Sequence, residues 1–288
     1  MKKKKIVILG STGMAGHMVY KYLSLREDFE IINLAFRKKL NESTIIIDIT
    51  KKDSFIKVLN KIRPEIIINC TGILLNGAKN NPANAVYINA YFPHLLSNII
   101  NENMGRLIHI STDCVFSGSK GNYEPDDPKD AQDIYGMSKA LGEVVNNRDL
   151  TIRTSIIGPE IKTDGEGLLN WFLTQHGTIY GYTDAHWTGI TTLQLAKIIE
   201  QSIDENLTGL LQYSNGNKIS KFNLLQIFQQ SWHKSNIQII PMPGKRVDKS
   251  LIPSYSQSIL KVPDYKTMCD ELSEFMIRHA EQYKHYNF

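Results

Sequence analysis

Tyr135 and Lys139, four residues apart, are the residues of this 288-residue chain whose spacing points most directly to chemistry. Side chains at this spacing lie on one face of a helix, one turn apart. A phenol ordinarily titrates near pH ~10, and a neighbouring ammonium favours the phenolate and lowers the pKa of the phenol. The pair therefore predicts an acid–base group with Tyr135 as proton donor, although most such pairs are solvated helix surface.

Thr112 is the second candidate, inside the block Ser-Thr-Asp-Cys-Val-Phe-Ser-Gly at 111–118. A threonine hydroxyl at the carboxyl end of a strand can hydrogen-bond a substrate carbonyl oxygen and hold it against the O–H of Tyr135. That arrangement would assist hydride transfer. The alternative is that Thr112 only caps the end of its strand.

A glycine-rich turn near the N-terminus indicates a nucleotide site. An apolar run at 6–9 leads into Gly-x-x-Gly-x-x-Gly, and a helical pattern follows. This order of strand, turn and helix directs backbone N–H groups and a helix N-terminus at an anion. The glycines allow a tight turn, the approach of a pyrophosphate and the close packing of the helix on its strand. The spacing is one residue wider at its start than G-x-G-x-x-G. The residues expected to bind the nucleotide are Gly10, Ser11, Thr12, Gly13, Met14 and Gly16.

The basic turn after the second predicted strand, 30–36, bears on the choice of nucleotide. An NAD site usually carries an acidic residue here for the ribose 2′-hydroxyl. This chain instead has Arg37 and Lys38, which suit a 2′-phosphate. The prediction is NADPH, the alternative being a merely solvated basic turn.

The order of elements predicts the fold. Apolar runs at 45–49, 66–72, 106–111 and 150–157 alternate with helical patterns at 53–63, 83–103 and 134–146. This alternation is typical of an α/β, Rossmann-type doubly wound parallel sheet. We expect residues 1–157, with about 189–213, to form the NADP-binding domain. Residues of about 158–188 and 214–288 would form a smaller C-terminal substrate-binding cap.

Composition limits the other function classes. The chain is 42% hydrophobic and carries a net charge of only +4, and no apolar run is long enough to span a bilayer. We therefore expect neither a membrane nor a nucleic-acid partner. Three scattered cysteines indicate a reducing cytoplasm, and eight histidines without an H-x-x-x-H pair give no reason to predict a metal.

The glycine turn, Asp48-Ile49, the 111–118 block and Tyr-Gly-Met-Ser-Lys together resemble the extended short-chain dehydrogenase/reductase superfamily. Within it the chain is most similar to the dTDP-4-dehydrorhamnose reductase family. The resemblance implies NADPH-dependent reduction of the 4-keto group of a dTDP- or UDP-linked 4-keto-6-deoxysugar, for surface polysaccharide or glycan precursor synthesis. It also implies that Thr112, Tyr135 and Lys139 are catalytic, with Lys139 holding the nicotinamide ribose.

The same resemblance extends the predicted site. Asp48 and Ile49 would contact the adenine, Cys70, Thr71 and Gly72 would run past the cofactor, and Asn89 would buttress the site. Cations suit a diphosphate, and an indole suits a sugar or base face. The expected substrate-binding residues are Thr112, Asp113 and Cys114, with His186, Trp187, Lys245 and Arg246 in the cap.

Three other functions occur on similar folds. Related 4,6-dehydratases carry Asp-Glu after the catalytic threonine, whereas Asp113 is followed here by Cys114, so a dehydratase is disfavoured. GDP-fucose synthase has a cysteine at the offset of Cys114, which leaves a combined epimerase–reductase open. The regulatory subunit of methionine adenosyltransferase shares this fold, so a non-catalytic NADP-binding subunit also stays open. The sequence leaves open which nucleotide base the substrate carries, which substituent its sugar has at C2, and which stereochemistry results at C4. It also leaves open whether the protein forms a homodimer.

Overall fold

The computed structural model describes residues 2–102, 104–244, 246–254 and 261–286. The backbone divides into two compact units. The first comprises Met1–Phe116, Pro128–Arg153 and Ala196–Leu211, and the second Ser117–Asp127, Thr154–Leu195 and Gln212–Phe288. Among the described residues, no helix is long and apolar enough to cross a membrane.

Strands and helices alternate through most of the first unit. The elements of both units are numbered together in chain order. The strands are β1 (Lys4–Leu9), β2 (Phe29–Ala35), β3 (Ile45–Ile46), β4 (Ile66–Asn69), β5 (Arg106–Ile110), β6 (Leu150–Arg153), β7 (Ile156–Ile157), β8 (Gly177–Tyr182), β9 (Ala185–Trp187), β10 (Ile190–Thr191), β11 (Gly209–Gln212), β12 (Ile219–Ser220), β13 (Ile237–Met242) and β14 (Val247–Asp248). The α-helices are α1 (Met14–Leu23), α2 (Lys52–Ile62), α3 (Leu75–Asn80), α4 (Pro82–Ala85), α5 (Phe92–Glu102), α6 (Ile134–Leu141), α7 (Leu168–Leu173), α8 (Thr192–Asp204), α9 (Lys221–Ser231) and α10 (Tyr265–Arg278).

A seven-stranded sheet forms the centre of the first unit, in the order β11-β6-β5-β4-β1-β2-β3. The pairings from β3 across to β6 are all parallel. The chain moves outward from β1 in one direction and returns to start again at β4, so ligands are expected at the carboxyl ends near this reversal. The predicted Rossmann-type doubly wound α/β fold is confirmed.

One face of the sheet is closed by α2 and α5. Val7, Leu9 and Ile67 from the strands pack with Phe55 of α2 and Phe92 of α5, all of them almost fully buried. The two phenyl rings lie 5.4 Å apart at a tilted angle. This packing fixes the strand ends on which the candidate site depends.

Several predicted boundaries differ in the structure. The run at 45–49 pairs as a strand only over Ile45–Ile46, because the Asp48 carboxylate accepts hydrogen bonds from Thr50 and turns the chain. The run at 150–157 is two strands, since Ile156–Ile157 leaves the large sheet and pairs with β10. The helix predicted at 134–146 ends at Leu141, where Gly142 caps it.

The division into units also differs from the prediction. Ser117–Asp127 belongs to the second unit rather than to the first, as does the beginning of α8 up to Leu195. The helix predicted at 83–103 is helical throughout its described part, but it contains a π-helical turn at Val86–Tyr91 between α4 and α5. Such turns are frequent at functional sites.

The glycine turn joins β1 to α1 by very close backbone contact. Gly10 has a φ of +75°, and its N–H and that of Ser11 both donate to the Leu34 carbonyl of β2. A Cβ on Gly16 would lie 2.1 Å from the Gly10 oxygen, which no side chain can tolerate. On Gly13, whose backbone is extended, it would lie 3.3 Å from the same oxygen.

Substitutions in this turn should show at which position the backbone packing requires glycine. We expect Gly16→Ala to lower the free energy of unfolding by about 1–3 kcal/mol or more, because backbone must move to admit the methyl group. The matched Gly13→Ala should change it by less than about 1 kcal/mol. Urea unfolding of both variants measures the difference, and equal stabilities would contradict this account of the turn.

A buried carboxylate, Glu143, joins the end of α6 to two strands. Its oxygens accept hydrogen bonds from the Arg153 guanidinium of β6 at 2.7 and 2.8 Å and from the Ser111 hydroxyl after β5 at 2.7 Å. Lys129 adds a third contact at 2.9 Å. Burial alone would raise the pKa of Glu143, but these donors hold it below its usual value.

Removing one partner of this cluster should be costly. We expect Glu143→Gln to lower the free energy of unfolding by about 3–5 kcal/mol, because Arg153 would remain buried without its counter-charge. A double Glu143→Leu, Arg153→Met variant should recover much of the loss. Urea unfolding at pH 7 of this double variant and of Glu143→Leu and Arg153→Met alone measures the coupling, and a double variant as unstable as the sum of these two single changes would contradict it.

Candidate active site

The first unit brings the predicted catalytic residues together at the carboxyl end of β5. Thr112 follows this strand and caps a 3₁₀ turn at Asp113–Val115, its Oγ1 accepting from the Cys114 N–H at 3.1 Å. The same hydroxyl donates to Asp113 Oδ1 at 3.2 Å and lies close enough to the phenol of Tyr135 to act on the pKa of that group. Thr112 is therefore both a local cap and a neighbour of the candidate acid.

Tyr135 reaches this turn because α6 begins directly against it. The helix starts at an N-cap, Asp133, whose side chain accepts from the Gly136 N–H at 2.9 Å. A Cβ on Gly136 would lie 2.2 Å from the Cys114 carbonyl oxygen, so only glycine allows this approach. The phenol is half-buried in the resulting crevice.

The protonation of Tyr135 differs from the sequence prediction. Its pKa is raised, first because burial disfavours the phenolate and then because the Cys114 thiol and two acidic side chains face it. The nearby Thr112 hydroxyl opposes this shift and does not reverse it. The expected lowering by Lys139 was therefore wrong for the protein's own residues, which keep Tyr135 as a neutral phenol able to donate.

Lys139 lies one turn further along α6 and is 4% exposed. Its Nζ donates to the Ile110 carbonyl oxygen at 2.7 Å and lies 3.4 Å from His109 Nε2. Burial lowers the pKa of Lys139 to about 8, against the opposing effects of Glu143 and Cys70. The ammonium is thus anchored to the last residue of β5 rather than to the tyrosine.

The residues predicted to run past the cofactor follow β4. Thr71 donates to Asn69 Oδ1 through its backbone N–H at 3.1 Å and its hydroxyl at 2.6 Å. Burial raises the pKa of the Cys70 thiol to about 12, so this thiol is neutral. Gly72 lies beside Asn89 Oδ1.

Asn89, in the π-helical turn, ties this segment to α6. Its side chain accepts from the Ile73 N–H at 2.8 Å and donates to the Ile73 carbonyl at 2.9 Å and to the Ser138 hydroxyl at 3.1 Å. It is fully buried. This geometry links the loop after β4 to the helix that carries Tyr135 and Lys139, as a buttress requires.

The predicted nucleotide-binding residues lie along the neighbouring strand ends. Arg37 and Lys38 are exposed after β2, with the guanidinium of Arg37 4.9 Å from the ring centre of the exposed Phe36. Hydrogen bonds from Thr50 lower the pKa of Asp48. The Ile49 carbonyl is 3.5 Å from the Tyr87 hydroxyl.

The predicted substrate residues of the cap lie in the second unit, which is described by itself. Trp187 is 4% exposed, its Nε1–H donates to Ser155 Oγ at 2.8 Å, and its ring packs near Tyr265. The indole is therefore a core group of that unit rather than an open stacking surface. His186 is half-buried on β9 and Arg246 is exposed, whereas Lys245 lies outside the described residues.

Sequence reasoning missed several polar residues that shape the site. His17 is fully buried in α1 and its Nδ1 lies 2.8 Å from the Gly13 carbonyl, while burial lowers its pKa to about 4. Asn69 and His109 face each other on β4 and β5. A polar residue inside an apolar strand was the available signal.

Within the described residues, no cluster of metal-ligating side chains is present.

Curated proteins similar to this chain include two reductases. A dTDP-4-dehydrorhamnose reductase of Aggregatibacter actinomycetemcomitans is 27% identical over 157 residues, 52% of this chain, and the match spans only about half, 51%, of that protein. The probable low-salt glycan biosynthesis reductase Agl14 of Haloferax volcanii is 26% identical over 230 residues, 74% of this chain and 75% of that protein.

Solved structures agree on the fold. The dTDP-4-dehydrorhamnose reductase of Bacillus anthracis, solved in complex with NADP, superposes with a TM-score of 0.80 at 23% identity, over 94% of this chain and 98% of that chain. At this identity the likeness establishes the architecture alone. The family model described as the RmlD substrate binding domain matches residues 4–271. Since that match covers nearly the whole chain, the protein belongs to the RmlD substrate binding domain family.

Proposed function

We propose that the protein is an NADPH-dependent reductase of the 4-keto group of a dTDP- or UDP-linked 4-keto-6-deoxysugar, acting in surface polysaccharide or glycan precursor synthesis. The observation that carries this is the meeting of the turn after β5, which begins at Thr112, with the start of α6, which carries Tyr135 and buries Lys139 one helical turn away. A non-catalytic NADP-binding subunit would not require these three groups together. The relatives named as reductases support the enzymatic alternative.

The hydride for the carbonyl carbon would come from bound NADPH. Thr112 and Tyr135 bind the carbonyl oxygen, and the phenol donates its proton as negative charge develops on that oxygen. The phenol of Tyr135 is protonated at neutral pH and so holds the proton that the reaction needs, while burial, which raises its pKa, makes it a weaker acid. Lys139, whose Nζ is fixed against the Ile110 carbonyl, would hold the nicotinamide ribose.

The remaining predicted groups have places in the same scheme. The glycine turn receives the pyrophosphate, and Arg37 and Lys38 receive the 2′-phosphate. His186 and Arg246 are the cap groups that we propose for the sugar nucleotide. Cys70, Cys114 and Cys269 form no disulfide bond, which supports the proposed cytoplasmic location. Met137 and Leu141 are exposed on α6, which is compatible with a homodimer.

Cofactor choice gives the first test of this function. We expect the protein to bind NADPH more tightly than NADH by about 1.5–3 kcal/mol, the scale of a hydrogen bond to a charged group. Arg37→Ala should remove most of that preference. Lys39→Ala is the matched control, since Lys39 is paired with Glu42 at 3.3 Å. Fluorescence titration with both cofactors measures it, and equal affinities in the unmodified protein would contradict the proposed 2′-phosphate site.

Conservative changes in the catalytic pair should separate their roles. Tyr135→Phe keeps the ring but removes the donated proton, so turnover should fall at least about 100-fold while NADPH still binds. Lys139→Met should impair both turnover and NADPH affinity. Tyr91→Phe, on an exposed tyrosine of the same unit, is the control. NADPH oxidation against dTDP-, UDP- and GDP-linked 4-keto-6-deoxysugars is the assay. Near-normal turnover by Tyr135→Phe would rule out this mechanism.

A combined epimerase–reductase is the second candidate, because Cys114 lies beside Tyr135 and its N–H binds Thr112. Epimerisation next to a ketone returns a solvent proton to carbon, whereas simple reduction takes its carbon-bound hydrogen from NADPH. In heavy water we therefore expect product without enzyme-dependent deuterium at C3 or C5, measured by mass spectrometry. Stoichiometric deuterium that is lost in Cys114→Ser but kept in the control Cys269→Ser would favour the epimerase.

A further inference from the structure

Asn69 and His109 form a buried polar pair that the proposed reaction does not use. The register of β4 and β5 places them opposite each other, and both are fully buried. Asn69 Nδ2 lies 3.1 Å from His109 Nδ1. Because buried polar groups must be matched donor to acceptor, this contact fixes which ring nitrogen carries the proton.

The orientation of the Asn69 amide follows from Thr71. A backbone N–H can only donate, and that of Thr71 points at Asn69 Oδ1 at 3.1 Å, with the Thr71 hydroxyl at 2.6 Å from the same atom. The amide oxygen therefore faces Thr71 and the NH₂ faces His109. Since an NH₂ group can only donate, His109 Nδ1 must accept and carries no proton.

His109 is also neutral. Burial alone lowers its pKa well below the usual value, and the contact with the Asn69 NH₂ already requires an unprotonated Nδ1. A neutral imidazole without a proton on Nδ1 has its proton on Nε2. That N–H lies towards Lys139, whose Nζ is 3.4 Å away.

Lys139 thus has an acceptor in the Ile110 carbonyl and a donor in the His109 ring. An ammonium has three donors and no acceptor, so it meets the Nε2–H as donor to donor. Only the neutral amine offers a lone pair to that N–H. The other titratable groups that face Lys139 are Glu143 on its own helix and Cys70 after β4.

We propose that His109, held in its Nε2–H tautomer by Asn69 and Thr71, is a positioning residue for Lys139 that keeps Nζ at the Ile110 carbonyl and favours its neutral form. Lys139 can then gain and lose a proton near neutral pH. The inference rests on the proposed function only for the catalytic use of this lysine.

Two NMR measurements on the full chain test the tautomer and its effect. The ¹⁵N shifts of the His109 ring report which nitrogen is protonated. The ¹³Cε shift of Lys139, assigned by its loss in Lys139→Met, reports the titration of Nζ. In the unmodified protein we expect the Nε2–H tautomer and a Lys139 midpoint near pH 8, in line with the pKa of about 8 that burial produces. An Nδ1–H tautomer, or a midpoint at the ordinary value of about 10.4, would overturn the proposal.

Asn69→Asp should reverse the tautomer. A carboxylate only accepts, so it takes the proton of His109 on Nδ1 and leaves the Nε2 lone pair facing the ammonium. We expect the Lys139 midpoint to rise by at least one pH unit. Thr71→Val is the matched control, because it keeps the backbone N–H on Asn69 Oδ1 and should preserve both the tautomer and the midpoint. A reversed tautomer with an unchanged midpoint would overturn the role of His109.

The carboxylate introduced by Asn69→Asp would itself favour the ammonium form of Lys139. A further comparison therefore separates the effect of the His109 ring from the effect of that charge. The rise caused by Asn69→Asp should be clearly smaller in a His109→Phe background, and an equal rise would overturn the proposal. If Asn69→Asp does not fold, the His109 tautomer of the unmodified protein decides, since an Nδ1–H ring would place a lone pair rather than a proton opposite Lys139. These readouts do not use turnover, so an inactive protein would refute the proposed function and leave this result standing.

Discussion

The buried Glu143 carboxylate is the interaction on which the arrangement of the candidate site depends. It accepts from Arg153 at the end of β6, from Ser111 at the end of β5 and from Lys129, while Glu143 itself follows α6. Neutralising this charge with three donors offsets the cost of removing it from water. The same contacts connect β5, which Thr112 follows, with the end of the helix that carries Tyr135. The geometry of the acid–base pair is therefore a consequence of an ion pair several residues away.

The pKa values of the two titratable groups of the site, Tyr135 and Lys139, are shifted in opposite directions. Burial raises the pKa of Tyr135 and lowers that of Lys139, because in each case it disfavours the charged form. The tyrosine is thereby kept as a proton donor, and the lysine approaches the pH range in which it can change charge. Opposite shifts of neighbouring groups are typical of acid–base sites. This supports the reductase function that we propose.

The close approach of backbone segments is the second constraint. Gly16 lets α1 pack on the glycine turn, and Gly136 lets α6 begin against the carbonyl of Cys114. In both places a methyl group would occupy the position of a backbone oxygen. Asn89 adds hydrogen bonds between the loop after β4 and Ser138 of α6, so both sides of the crevice are tied together.

The sequence by itself determined the alternation of strands and helices and the glycine turn. It also determined the presence of Thr112, Tyr135 and Lys139 on elements that meet at one edge of the sheet. These features follow from local periodicity and from the steric needs of single residues. It did not determine the direction of the Tyr135 pKa shift, because that depends on burial and on neighbours far apart in the chain. Nor did it reveal that Trp187 is buried, that Ser117–Asp127 belongs to the second unit, or that Asn69 fixes the proton of His109. Those depend on which strands pair and which atoms face each other, and only the tertiary structure decides that.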